Sequence, residues 1–207
     1  MARVHSPRIV TDGLVLCLDA ANTKSYPGSG TTWKDLSSNK KDWSWNNVWT
    51  HNSSEGSFNI NSESNYVGRS GTDYASITDG TFVIWFKTTD AQSLFLSDNL
   101  GAYEQFLGAY KVDNKYYNDL NSSAPTLHKN TTTISNLYDD IRSGDWMMLE
   151  FKGIDFSFWE SIYLNGYYGA GFRFDTSTHV SILQIYNRQL SSEESLQNYN
   201  AYKGRYQ

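Results

Sequence analysis

The stretch that most constrains the fold is residues 81–89, Thr-Phe-Val-Ile-Trp-Phe-Lys-Thr-Thr, an apolar, β-favouring run of strand length. Side chains alternate along a strand, so Phe82, Ile84 and Phe86 share one face and Val83, Trp85 and Lys87 the other. Asp79-Gly80 before the run and Thr-Thr-Asp after it punctuate its ends, which leaves too few residues for a typical helix. The reading is a central strand with its Phe82 face buried. The rest of the chain must then supply partners for both edges and a layer to cover that face.

The 207 residues suit one all-β domain, since sandwiches of about 200 residues often stand alone. A chain of this length buries roughly 70% of its unfolded surface and folds without covalent staples. The single Cys17 agrees, and in Gly-Leu-Val-Leu-Cys-Leu it reads as a small buried hydrophobe. Seven Trp, fifteen Tyr and ten Phe against three Pro favour β-structure over a helical bundle. The formal charge is −5 and no basic run exceeds Lys40-Lys41, so nucleic acid is not an expected partner. No apolar stretch nears the roughly 20 residues of a membrane span, so membrane insertion is not expected. Residues 1–12 lack the apolar segment of a signal peptide, and the expectation is a small free-standing soluble protein not exported by that route.

Along the chain, residues 1–11 read as an N-terminal arm that either docks or frays, and residues 12–207 as a single domain. Residues 14–18 form the first core strand. A loop of turn formers over residues 22–38 comes next, pinned by Trp33 and Leu36. Residues 65–67, 75–77, 94–96 and 105–110 are further strand candidates, and residues 146–152 resume the core. Residues 111–140 are weakly apolar, either partly stranded or an excursion that binds something. Asn165-Gly166 is a strong hairpin signal between strands over residues 156–164 and 167–174. Residues 179–186 are the last strand. Ser191 and Glu194 then form a capping box for a closing helix in which Leu196 and Tyr199 share a face and Gly204 ends the run.

Two end segments carry a resemblance. Ile9-Val-Thr-Asp-Gly-Leu-Val-Leu-Cys-Leu-Asp-Ala-Ala-Asn22, continued by Ser25-Tyr-Pro-Gly-Ser-Gly-Thr-Thr-Trp33 and Asp35-Leu-Ser37, resembles the opening of the laminin-G-like, concanavalin A-like jelly rolls of tailed-bacteriophage structural proteins. Ile185-Tyr-Asn-Arg-Gln-Leu-Ser191, with Glu193-Glu194, Asn198-Tyr-Asn-Ala201 and Lys203-Gly-Arg-Tyr206, resembles their closing strand and helix. The resemblance implies an all-β, two-sheet antiparallel sandwich of about six or seven strands per sheet, with the first and last strands adjacent and a short C-terminal helix. The chain departs from the pattern after Ser37, where Lys40-Lys-Asp-Trp-Ser-Trp45 replaces a glycine- and asparagine-rich turn, and again over residues 59–64.

No pair of carboxylates sits at i, i+2 or i+4 on one strand, as glycan hydrolysis on this fold would favour. Glu150 and Asp155 are an odd number apart and interrupted by Gly153, and Asp155 and Glu160 are an odd number apart as well, so neither pair shares a strand face without a bulge. Asp98-Asn99, Asp139-Asp140 and Asp145 are oxygen donors without the spacing of a recognised calcium loop. No cofactor is therefore expected, with calcium left as the open alternative. His5, His51, His128 and His179 make neither a zinc pattern nor a catalytic pair with Cys17. The remaining chemistry is aromatic. Trp43, Trp45, Tyr103, Tyr116 and Tyr117 lie in polar stretches and are the candidate ligand-binding residues, by stacking on sugars or anchoring a protein partner. The resemblance then implies a non-enzymatic virion component on the outside of a phage head, neck or tail, touching other virion proteins and host-surface glycans, with a homo-oligomer as an option. A glycan-cleaving enzyme of the same fold and a free soluble lectin are the alternatives.

Overall fold

The computed structural model describes residues 8–60, 65–89, 93–98, 106–110, 115–118, 125–135, 137–165 and 177–206. In chain order its strands are β1 (Leu14–Asp19), β2 (Thr32–Trp33), β3 (Trp43–Trp45), β4 (Thr50–Asn52), β5 (Ser57–Asn59), β6 (Val67–Ser70), β7 (Gly80–Lys87) and β8 (Ser93–Ser97). They continue with β9 (Phe106–Tyr110), β10 (Lys115–Asn118), β11 (Thr126–Lys129), β12 (Thr132–Ile134), β13 (Met147–Ile154), β14 (Ser161–Leu164) and β15 (His179–Tyr186). A single turn of helix, α1 (Leu137–Asp140), precedes β13, and α2 (Ser192–Tyr202) closes the chain through a 3₁₀ turn over Lys203–Arg205.

The strands form two antiparallel sheets. One runs β12-β11-β13-β7-β15-β5-β4, and β1 joins the length of β15 that β5 leaves free. The other runs β10-β9-β8-β14-β6-β3-β2. First and last strands are adjacent, as the end segments implied. The weakly apolar residues 111–140 are partly stranded: β10, β11, β12 and α1 all fall there.

β7 lies between β13 and β15, and its alternation builds two cores. Phe82, Ile84 and Phe86 point between the sheets, where Phe82 meets Phe151 at 5.9 Å and Phe86 meets Phe95 at 5.2 Å. Val83 and Trp85 point the other way and are equally buried, with Met148, Ile182, Tyr186 and Leu190. Only one covered face was expected. The second is sealed from outside by α2 and the residue after its 3₁₀ turn: Tyr199 stacks on Trp85 at 5.7 Å and Tyr206 at 4.9 Å. Trp146 extends the stack on Tyr206 at 4.5 Å.

The capping box of α2 is present, with Glu194 N–H donating to Ser191 Oγ at 3.3 Å and Ser191 N–H to Glu194 Oε2 at 2.9 Å. Arg188 donates to both oxygens of Glu194 and holds its carboxyl down to about 2. The buried side of α2 is Ser195, Asn198 and Tyr202, with Tyr199 beside it. Of the two residues expected on one face, Tyr199 packs on Trp85 while Leu196 is 48% exposed. A polar contact face explains this: Asn198 accepts from Val10 N–H at 2.8 Å and donates to Tyr186 Oη at 3.0 Å. Tyr186 in turn donates to Val10 O at 3.1 Å, so residues 8–11 are fastened under the helix. Residues 1–7 lie outside the described chain.

Three further strand expectations change. Residues 75–77 form a turn, with Ile77 N–H donating to Tyr74 O at 2.9 Å. The run expected over residues 156–164 is a strand only at Ser161–Leu164, because Asp155 Oδ1 takes Ser157 N–H at 2.8 Å and starts a turn that buries Phe156 and Trp159. Asn165 has φ +59°, as a tight hairpin turn requires, while the expected strand over residues 167–174 is outside the described residues. Cys17 is buried and its thiol is pushed up to about 12 by that burial, which leaves it an inert hydrophobe.

Glu150 belongs to the second core, beneath α2. It is fully buried, and among the described residues neither carboxylate oxygen has a hydrogen-bond partner. Lys152 Nζ is 4.0 Å away but donates to Leu190 O at 2.9 Å and Ser195 Oγ at 2.7 Å. Burial pushes the Glu150 carboxyl above its ordinary range, against the pull of Lys152. Below the unfolded pKa both states hold the proton. As pH rises past it, the unfolded chain ionises while the folded one does not, and stability falls. Glu150→Gln keeps shape and neutrality, so it should match the parent near pH 4 and exceed it in stability near pH 8 in urea unfolding. An unchanged difference across that range would mean that the carboxylate is ionised in the fold.

Candidate functional site

On the outer face of the second sheet, β3, β6 and β14 carry a groove of about 460 Å³. Its centre is a row across three strands, since Ser44 pairs with Gly68 and Gly68 with Tyr163. The pattern is legible locally: Trp43 and Trp45 point inward and are buried, which turns Ser44 out. Ile162 and Leu164 are buried too, which turns Tyr163 out. Gly68 is required by close approach, because a Cβ there would overlap the Ile162 carbonyl oxygen and the Tyr163 ring at once. The Tyr163 ring therefore lies across the sheet at Gly68.

Tyr66 stands beside it, ring centroids 5.3 Å apart and planes at 77°, so the two rings make a corner. Tyr66 is set by a reciprocal pair: its N–H donates to Asn46 Oδ1 at 2.7 Å, and Asn46 N–H donates to Tyr66 O at 3.2 Å. The residue before it is held as well, its carbonyl accepting from Asn165 Nδ2 at 3.0 Å and Trp49 Nε1 at 3.3 Å.

The other end of the groove is polar, with Asp42, Arg69 and Ser70. Arg69 donates through Nε to Asp73 and through Nη1 to the Asp42 carbonyl at 3.2 Å. Lys41 also pairs with Asp73, and these two cations, Lys41 first, lower the Asp73 carboxyl below its ordinary value. Asp42 is placed by Asp35, whose N–H donates to Asp42 Oδ1 at 2.9 Å. The buried Asp35 carboxylate itself takes N–H groups from Cys17, Ser37 and Lys41. Lys40, where a glycine or asparagine was expected, adopts the left-handed φ of +54° that such a residue favours.

Of the ligand-binding candidates from the sequence, Trp43 and Trp45 do share one side, but it is the interior: they are 0% and 6% exposed. Trp45 stacks on Trp33 at 5.6 Å and meets Phe58 at 4.8 Å, so its ring supports the groove from behind rather than offering a free face. Alternation told which rings travel together. The covering aromatics, from distant segments, decide which side is dry. Tyr103 lies outside the described residues, and Tyr116 and Tyr117 are on β10, the far edge strand of the same sheet, three strands from β14. Tyr66, Arg69 and Tyr163 were missed. A signal existed for the tyrosines, each flanked by a core aliphatic, but their meeting depends on the β6/β14 register.

For metals, among the described residues no group of three or more His, Cys, Asp or Glu could hold an ion. Glu150 is sealed under α2 and Asp155 is bound into its turn, so neither lines the groove. Asp42 is the carboxylate among its described lining residues.

No protein-family model matches the chain, and no curated protein matches it in sequence. Solved structures do. The sialidase of Trypanosoma rangeli in complex with sialic acid is 14% identical, with a TM-score of 0.57 over 93% of this chain and 33% of that one. A mutant of that sialidase displaying trans-sialidase activity is 15% identical, with a TM-score of 0.59 over 96% and 34%. The botulinum neurotoxin serotype D binding domain is 11% identical, with a TM-score of 0.56 over 93% and 53%. This chain therefore spans about a third of the sialidases and half of the neurotoxin domain. At such identities the likeness establishes the fold alone, a two-sheet antiparallel β-sandwich of the jelly-roll-like kind.

Proposed function

We propose that this chain is a carbohydrate-binding module that carries out no chemistry and acts on the outside of a tailed-phage particle, gripping host-surface glycans through the β3/β6/β14 groove. The observation that carries the binding reading is the corner of Tyr66 and Tyr163 set in a polar groove. A sugar offers apolar C–H faces and a rim of hydroxyls, and this site offers rings for the first and uncommitted polar atoms for the second. Its volume lies within the usual ~300–1,000 Å³ of small-ligand sites, but its lining is more polar than an apolar ligand would want. The two sandwich neighbours named as a sialidase and a toxin binding domain support a carbohydrate or receptor ligand. The virion setting, with contacts to other virion proteins and assembly in a host cytoplasm, is supported by the resemblance of the two end segments.

Hydrolysis is the weaker reading. In most glycosidases it calls for two carboxylates flanking the scissile bond, about 5–9.5 Å apart, and the described groove brings Asp42 alone. Tyr163→Ala is expected to weaken glycan binding by about tenfold or more, the loss of roughly 1.4 kcal/mol of ring contact, while stability changes by less than about 1 kcal/mol. Calorimetry on folded protein checks both. Undiminished binding by the variant would move the site elsewhere, and failure of the protein to sediment with purified particles would remove the virion setting.

A further inference from the structure

We infer that the groove selects neutral, hydroxyl-rich glycans over acidic ones, and that Asp42 sets that preference; the inference rests on the carbohydrate reading above. The cations near the groove are already committed. Arg69 and Lys41 both pair with Asp73, and Arg69 Nη1 is turned onto the Asp42 carbonyl at 3.2 Å. Lys41 and Arg69 carry two positive charges and Asp73 and Asp42 two negative ones, so the four sum to zero and the groove has no net positive field to draw in a carboxylate.

The acceptor left open is a carboxylate. Asp42 pairs with no cation among the described residues, and its Oδ1 is occupied by Asp35 N–H at 2.9 Å, which leaves Oδ2 to accept from a ligand. A carboxylate accepts well from sugar hydroxyls, because hydrogen bonds to a charged partner are the stronger kind. Toward a uronic or sialic acid the same oxygen is repulsive. Like charges about 5 Å apart in a half-solvated site discriminate roughly tenfold. Exclusion by an unpaired charge is a common source of specificity in binding sites. The side-chain hydroxyls of Ser44 and Ser70, with those of Tyr66 and Tyr163, complete a neutral set of donors and acceptors around the aromatic corner.

The test is a panel of neutral hexose and N-acetylhexosamine oligosaccharides, with their uronic-acid and sialylated counterparts, offered at low and high salt to the full chain and to Asp42→Asn. The variant keeps an Oδ1 acceptor for Asp35 N–H, so the loop is retained, and near-ultraviolet circular dichroism confirms the fold. The expected result is binding of neutral members with little salt dependence, roughly tenfold weaker binding of their acidic counterparts, and loss of that difference in Asp42→Asn as acidic members bind more tightly and neutral ones more weakly. Tighter binding of acidic members, weakened by salt, overturns the inference and leaves the carbohydrate reading standing. A neutral preference that Asp42→Asn leaves unchanged overturns it too. If the folded protein binds no member, the carbohydrate reading fails and this one with it.

Discussion

Phe58→Ala is expected to cost about 4–5 kcal/mol of folding stability, lowering the melting temperature by roughly 10–20 °C in a chain of this size. Phe58 is fully buried and is the hub of an aromatic cluster: Tyr26 and Trp45 at 4.8 Å, Trp33 at 4.9 Å and His51 at 5.1 Å between ring centroids. Truncation removes the transfer free energy of a large ring and leaves a cavity that four aromatic neighbours, each held by its own strand or loop, cannot collapse into. Phe58→Leu retains most of the volume and should cost about 1–2 kcal/mol. Thermal and urea unfolding of the two variants give the comparison. A loss below about 2 kcal/mol for the alanine variant would mean that this region is not the packed interior described.

The second large effect is Gly68→Val, with about 3 kcal/mol or more lost and glycan binding abolished. Any Cβ at this position overlaps the Ile162 carbonyl and the Tyr163 backbone as well as its ring, so β6 and β14 must part. The damage then falls on the floor of the groove. Adding Tyr163→Ala relieves the ring clash but not the backbone one, so the double variant should recover only part of the lost stability. Full recovery would show that the close approach is a side-chain matter alone.

Much of the sandwich was legible because its signals are local. The β7 run has its own length and punctuation, and Ser191 with Glu194 marks the start of α2 without help from the rest of the chain. What was not legible depends on contacts distant in sequence. Spacing places Leu196 and Tyr199 only on a shared face, and α2 docks through Ser195, Asn198 and Tyr202 because the surface below it offers Tyr186, Val10 and Gln184 as polar partners. Val83 and Trp85 gave no sign of being roofed, since the roof arrives more than 100 residues later.

The site obeyed the same rule. Trp43 and Trp45 were placed on a common side by spacing, and the wet side went to Ser44 because Trp33, Tyr26 and Phe58 cover the other. Tyr66 and Tyr163 are 97 residues apart in number but neighbours in space, joined only once Val67 pairs with Leu164. No pattern within either segment announces that register. Gly68 was the nearest thing to a clue, a glycine in a strand marking the place where something must come close.

The measurement that bears most directly on the central claim is amide chemical-shift mapping of the protein titrated with a glycan it binds. Shifts are predicted at residues 42–46, 66–70 and 162–164, with α2 and the first sheet undisturbed. Shifts concentrated at α2 or along β7, β13 and β15, with the groove silent, would contradict the account.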